Sequence, residues 1–176
     1  EVISVPENRY SNVDINYDFL LAAGDAAPSV SVIASAYNES ATIIPCVRAL
    51  LNLRYSNYDV IVVNDGSTDD TLEKLKNEFQ LEKQSYIINY KIKTKKVRGI
   101  YRSKNSIFRN LVVIDKENGG KADAMNCGMN ISYKFYVVCV DVDSVLERDA
   151  LLKLVKAIVE RKESYVIGVG ASVHVA

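Results

Sequence analysis

Asp141-Val142-Asp143 is the place where the residue types and spacing of this chain could do chemistry. The two acids directly follow Phe135 to Val140, an unbroken apolar run of β-formers that predicts a strand buried on both faces of a parallel sheet. Acids after such a strand stand at its carboxyl end, the edge where open α/β sheets place their ligands. Two hard oxygen donors so close suit Mg²⁺ or Mn²⁺ carrying a phosphate group, because these ions keep several waters and take only one or two protein carboxylates. The plainer alternative is that the acids cap the next helix or line a wet loop. Asp65 has the same placement after the apolar run Tyr58 to Val63, where an acid can bond a ribose hydroxyl or a base N–H, or simply form the turn. In Lys116-Glu117-Asn118-Gly119-Gly120-Lys121-Ala122-Asp123, paired glycines precede a helical stretch whose amino terminus favours an anion, and Lys121 adds a point charge there. The spacing matches neither a P-loop nor the glycine fingerprint of dinucleotide folds.

The elements that must hold these residues alternate between strand and helix. Val30 to Ala36 reads as a buried strand broken by Tyr37-Asn38-Glu39-Ser40, and Ile43, Val47, Leu50 and Leu51 then follow at helical spacing, with Pro45 early in the helix and Ser or Thr as its cap. Asn64 to Asp70 supplies turn and cap residues, and Leu72, Leu75 and Phe79 mark a second helix. Two consecutive βα units with short loops imply a parallel sheet with right-handed crossovers. Ile88, Tyr90 and Ile92 alternate with Asn89, Lys91 and Lys93, which predicts a half-exposed strand. Lys91 to Arg109 holds eight basic residues and no acid, ordinarily a solvated face. Leu111 to Ile114 predicts another buried strand. Ala122, Met125 and Met129 are expected on the inner face of the helix after the glycines, and Leu151, Leu154, Val155 and Ile158 on that of an amphipathic helix from Arg148 to Val159. Val166 to Val175 predicts a last strand, and residues 1–27 read as a polar arm leading into a single domain over 28–176.

Composition excludes several classes. The chain has 176 residues, 48% hydrophobic and 25% charged, which places it among ordinary globular domains with a full core. Lys+Arg and Asp+Glu balance at 22 each, so there is no electrostatic case for nucleic acid as a partner. Cys46, Cys127 and Cys139 form no close pair and fit free thiols of a reducing compartment rather than a disulfide framework. No apolar run approaches the ~20 residues needed to cross a bilayer. The absence of an initial Met, together with the late strand, reads as part of a longer polypeptide.

Four segments, Val32 to Glu39, Val62 to Asp69, Asn118 to Asn126 and Asp141-Val142-Asp143, together resemble the family 2 glycosyltransferases in order and spacing, over roughly Pro28 to Ala176. The Gly-Gly-Lys-Ala-Asp segment and Val97 to Ser103 look most like the bacterial membrane synthases of poly-N-acetylglucosamine, hyaluronan and cellulose. The resemblance implies a GT-A, Rossmann-like α/β fold with a mostly parallel sheet flanked by helices, of which this chain would be the donor-binding half. It implies inverting transfer of a sugar from a UDP-sugar to a glycan, lipid-linked or other hydroxyl acceptor, assisted by Mg²⁺ or Mn²⁺. Residue by residue, it puts Ala36, Tyr37 and Glu39 around uracil and ribose, Asp65 on the base, Lys121 and Asp123 near the diphosphate or donor sugar, and Asp141 and Asp143 on the nucleotide and its metal. The family's catalytic base lies downstream of the D-x-D strand and is expected beyond Ala176, with the parent protein membrane-embedded and this domain on the cytoplasmic side of a bacterial inner membrane. A nucleotidyltransferase is the enzymatic alternative, although Tyr37-Asn38-Glu39-Ser40 lacks the Gly-rich basic signature expected there. A nucleotide-sugar-binding module without catalysis is the other.

Overall fold

The computed structural model describes residues 23–86, 88, 90–144 and 146–159. In chain order the elements are β1 (Val30–Ala36), α1 (Ile43–Leu51), β2 (Tyr58–Asn64), α2 (Thr71–Glu78), β3 (Leu81–Gln84), β4 (Val97–Ser103), β5 (Leu111–Lys116), α3 (Lys121–Ile131), β6 (Tyr136–Asp141) and α4 (Ala150–Val159). They build one sheet in the order β3-β4-β5-β2-β1-β6. β5, β2, β1 and β6 run parallel, whereas β4 is antiparallel to both β5 and β3. After β5 the chain crosses β2 and β1 to reach β6, so the carboxyl ends of these four strands frame the switch-point crevice of an open α/β sheet.

The apolar strands are buried because helices cover both faces. Val32, Ala34, Val60, Val62, Leu111 and Val113 pack with residues of α1, α2 and α4, while Ile33, Ile61, Val63, Val112 and Ile114 pack with α3. Period-2 alternation thus assigns odd and even positions to opposite cores. Each wholly buried Val, Leu or Ile contributes roughly 1.5–3 kcal/mol. The inner face of α3 is Ala124, Met125, Cys127, Gly128 and Ile131, so the expected set of Ala122, Met125 and Met129 is corrected: Ala122 is exposed and Met129 only partly covered. In α4, Leu151, Leu152 and Val155 are buried, and Leu154 and Ile158 are half-covered.

Three further expectations change. The described residues 88 and 90–93 form no strand: Lys91 and Ile92 N–H donate to Asn130 Oδ1 at 3.1 and 2.9 Å, so a side chain takes the place of a neighbouring strand. The strands in this region are instead β3 and β4, paired antiparallel and exposed or half-buried except at Gly99 and Ile100. β6 is buried on one side only, with Val137 and Cys139 exposed, and it lies at the edge of the sheet with β1 as its one strand partner among the described residues. Thr42 precedes α1, but its hydroxyl bonds the Glu39 carboxylate at 2.6 Å rather than a helix N–H. The expected arm through 22, the strand Val166 to Val175 and everything else past 159 lie outside the described residues.

Candidate functional site

The loops after β1 and β2 are laced together by short polar side chains. Asn38, at a left-handed φ of 56° that Asn tolerates better than most residues, accepts from Thr68 N–H at 2.8 Å, and its own N–H donates to Ser67 Oγ at 3.0 Å. Glu39 N–H donates to Thr71 Oγ1 at 3.0 Å, and Ser40 N–H to Asp69 Oδ2 at 3.2 Å. The Thr71 hydroxyl's bond to Asp69 holds that carboxyl below its usual range. This lacing leaves the Tyr37 ring 51% exposed and Glu39 half-buried at the mouth of the crevice. Ala36 is buried, and its carbonyl accepts from Asp65 N–H at 2.9 Å.

Asp65 is not an open turn residue. Alternation beyond Val63 and Ile114 puts Asp65 and Lys116 on the α3 side of the sheet, where the Lys116 ammonium pairs with Asp65 Oδ1. Gly120 N–H donates to Asp65 Oδ2 at 2.7 Å and Gly119 N–H to Oδ1 at 3.1 Å. The anion expected at the amino terminus of α3 is therefore the chain's own Asp65, whose carboxylate is 3% exposed. Gly120 reaches it at φ 85°, a conformation that a side chain would strain. The other side of the same strand ends carries a separate group, in which Asp115 accepts from Asn64 Nδ2 at 2.9 Å and from Arg98 at 2.6 Å.

Lys116 also pairs with Asp123 Oδ2 at 2.7 Å, and Asp123 accepts from Lys95 N–H at 3.0 Å. Burial pulls the Lys116 ammonium down, but its bonds to Asp123 and Asp65 outweigh that and raise it above its ordinary value. Asp123 thus faces inward to Lys116.

Asp141 and Asp143 contrast with this. Asp141 closes β6 beside Ser35 of β1, and Asp143 follows in an exposed turn fixed by Ser144 N–H to Asp141 O at 3.0 Å. The ammonium of Lys121 sits across both Asp141 oxygens at 2.6 and 2.8 Å, and that bond raises Lys121 above the ordinary lysine value. Burial first, and then the charges of Asp143 and Glu39, push the Cys46 thiol up to about 11. Among the described residues no cluster of three or more His, Cys, Asp or Glu could hold a metal by itself. Two exposed carboxylates, one already bearing a cation, do fit an ion that completes its coordination with phosphate oxygens and water.

The structure accordingly divides the candidate residues. Tyr37, Glu39, Lys121, Asp141 and Asp143 present themselves at the open edge, while Ala36, Asp65 and Asp123 are held by internal partners. Sequence reasoning missed Lys116 and Asn118, whose Nδ2 donates to Asp65 O at 2.9 Å. One signal was available, since Lys116 continues the period of Val112 and Ile114 and a lysine on a buried face needs carboxylate partners. Gly66, at φ 73°, lets Asn118 approach, because a Cβ there would lie 2.7 Å from Asn118 N.

The model of Glycosyl transferase family 2 matches residues 31–111 and 103–173. Poly-beta-1,6-N-acetyl-D-glucosamine synthase of Staphylococcus aureus strain COL is 33% identical over 147 residues, 82% of this chain and 28% of that protein. The chain therefore spans under a third of the length of this curated relative. Among solved structures, S. aureus TarS 1-349 in complex with UDP-GlcNAc superposes with a TM-score of 0.54 at 22% identity, over 75% of this chain and 31% of that one. The mannosyltransferase PcManGT of Pyrobaculum calidifontis, in complex with GDP-Man and Mn²⁺, gives 0.58 at 23% identity, over 76% and 33%. These superpositions show the glycosyltransferase GT-A fold, and the family match with the 33% relative shows that this chain belongs to glycosyl transferase family 2.

Proposed function

We propose that this chain is the donor-binding half of an inverting glycosyltransferase that uses a UDP-sugar and passes the sugar to a hydroxyl of a glycan or lipid-linked acceptor. The observation that carries the reading is the open pair Asp141 and Asp143, beside Lys121 and at the end of the strand next to the one that runs into the Tyr37-Glu39 loop, at the switch-point edge of the sheet. Asp141 and Asp143 would hold Mg²⁺ or Mn²⁺, which when bound neutralises charge growing on the leaving diphosphate. The poly-N-acetylglucosamine synthase relative and the UDP-GlcNAc and Mn²⁺ complexes of the structural neighbours support this choice of donor and ion.

The chain's own residues have distinct tasks in it. Tyr37 offers an exposed ring against which a base stacks, and Glu39 an acceptor for ribose hydroxyls. Lys121 can leave Asp141 for a phosphate, since an exposed pair of this kind is held by only ~0–1 kcal/mol in general. We assign proton removal from the acceptor hydroxyl to polypeptide following the D-x-D strand, in a membrane-associated parent on the cytoplasmic side. Among the described residues no helix is long and apolar enough to cross a membrane. Isothermal titration of the chain with UDP, with and without Mn²⁺, tests the reading. Mn²⁺-dependent binding is expected, and equal heats with EDTA would sink it.

A further inference from the structure

Lys116 has no task in the donor reading above, yet its side chain is wholly buried. We infer that Lys116 is a positioning residue of the donor site, clamping the loop after β2 to the first turn of α3 through Asp65 and Asp123. The inference rests on the donor reading and deepens it. The ammonium donates hydrogen bonds to Asp65 Oδ1 and, at 2.6 Å, to the Glu117 carbonyl, and it forms an ion pair with Asp123 Oδ2 at 2.7 Å. Burying that charge costs several kcal/mol in general, and is tolerated only where partners are this complete.

Two carboxylates share the one ammonium, so the cluster keeps a surplus negative charge. Main-chain donors balance it: Gly119 and Gly120 N–H on Asp65, and Lys95 N–H on Asp123. Those contacts fix the peptide immediately before Lys121, the residue whose ammonium lies on Asp141. Lys116 thus sets where Lys121 stands relative to Asp141 without touching a ligand itself. Removing the ammonium leaves Asp65 and Asp123 facing one another as like charges, which drives the first turn of α3 away from the loop after β2.

The test is calorimetry of the whole chain with UDP and Mn²⁺, with folding checked by circular dichroism. Failure of the wild-type chain to bind UDP would refute the donor reading itself. Where it binds, Lys116→Met is expected to bind about tenfold more weakly, a change of 1.4 kcal/mol. Lys116→Met/Asp123→Asn, which returns the cluster to its wild-type net charge and removes the like-charge pair, is expected to recover most of that loss. A role for Asp123 in touching the donor would make the double variant weaker than Lys116→Met. That result, or a folded Lys116→Met that binds UDP as the wild type does, overturns the inference. If Lys116→Met does not fold, the ¹⁵N resonance of the Lys116 ammonium in the wild-type chain decides. A shift on saturation with UDP is expected, and an unmoved resonance overturns the proposal.

Discussion

Two acid clusters at the same sheet edge have opposite fates. Asp65 follows one parallel strand and Asp141 ends another, but Asp65 is 3% exposed, with an ammonium and two glycine amides on its oxygens, whereas among the described residues the Asp141 carboxylate meets only the movable ammonium of an exposed lysine. The reason lies in what surrounds the strand ends. β2 is central, with β5 and its glycine loop beside it, while β6 has a neighbour on one side only among the described residues. Position at a carboxyl edge therefore does not make an acid a ligand site. What decides is whether the neighbouring strand brings donors of its own.

The sharpest way to break this contrast is to remove each acid in turn. Asp65→Ala leaves the buried Lys116 ammonium with Asp123 as its one carboxylate and strands the amides of Gly119 and Gly120. Breaking a buried pair costs about 3–5 kcal/mol, so chemical denaturation should show a loss of that size. Because Lys116 is raised in the folded state, the stability it supplies is fully present below the unfolded lysine value of about 10.4 and is lost as pH rises through the folded value. The loss should therefore be undiminished at neutral pH. Asp143→Asn, at an exposed position, should change stability by no more than about 0.5 kcal/mol. Its effect is expected instead on UDP binding, as loss of the Mn²⁺-dependent share of the affinity in titrations with and without EDTA. Denaturation midpoints that fall equally for both variants would erase the distinction.

A smaller effect separates the two lysines. Lys121→Met frees Asp141 of its competing ammonium and should strengthen binding of Mn²⁺ alone about two- to fivefold, the range of an exposed ion pair. Paramagnetic titration without nucleotide measures it. Lys116→Met, which acts on Asp141 only through the position of Lys121, should change nucleotide-free Mn²⁺ binding in the same direction but by less.

The sequence made the central sheet legible because buried parallel strands are continuous apolar runs, and β1 matches its expected bounds residue for residue. β3 and β4 were not legible, since Leu-Glu-Lys-Gln and Val-Arg-Gly-Ile-Tyr-Arg-Ser are strands only by virtue of antiparallel partners distant in the chain. The alternation at 88–92 misled for the converse reason: its N–H groups found Asn130 rather than a strand. At the site, the placement of Asp65, Asp141 and Asp143 was readable from where the apolar runs end. Their use was not, because the partnership of Lys116 with Asp65 joins residues 51 apart in sequence.

The smallest effect belongs to Asp59, at the opposite end of the strand that Asp65 follows, and it shows what an acid on this sheet costs when no lysine is supplied. Burial raises its carboxyl above the usual range, a bond from Ser31 and the more distant Lys134 and Arg102 offset this only in part, and Oδ1 has no hydrogen-bond partner among the described residues. A carboxyl raised in the folded state is favourable below the unfolded value of about 3.9, and that advantage is lost as pH rises through the folded value. Above the unfolded value Asp59 therefore destabilises the sheet, which Asp65, paired with Lys116, does not. Asp59→Asn keeps the shape, removes the buried charge and should raise stability by about 0.5–1 kcal/mol at pH 7. Thermal melts from pH 7 to pH 3.5 measure it: the gain should shrink steadily as the wild-type carboxyl takes its proton. A gain that persists undiminished at pH 3.5 would mean that charge is not its source, and that the contrast between Asp59 and Asp65 has nothing to do with Lys116.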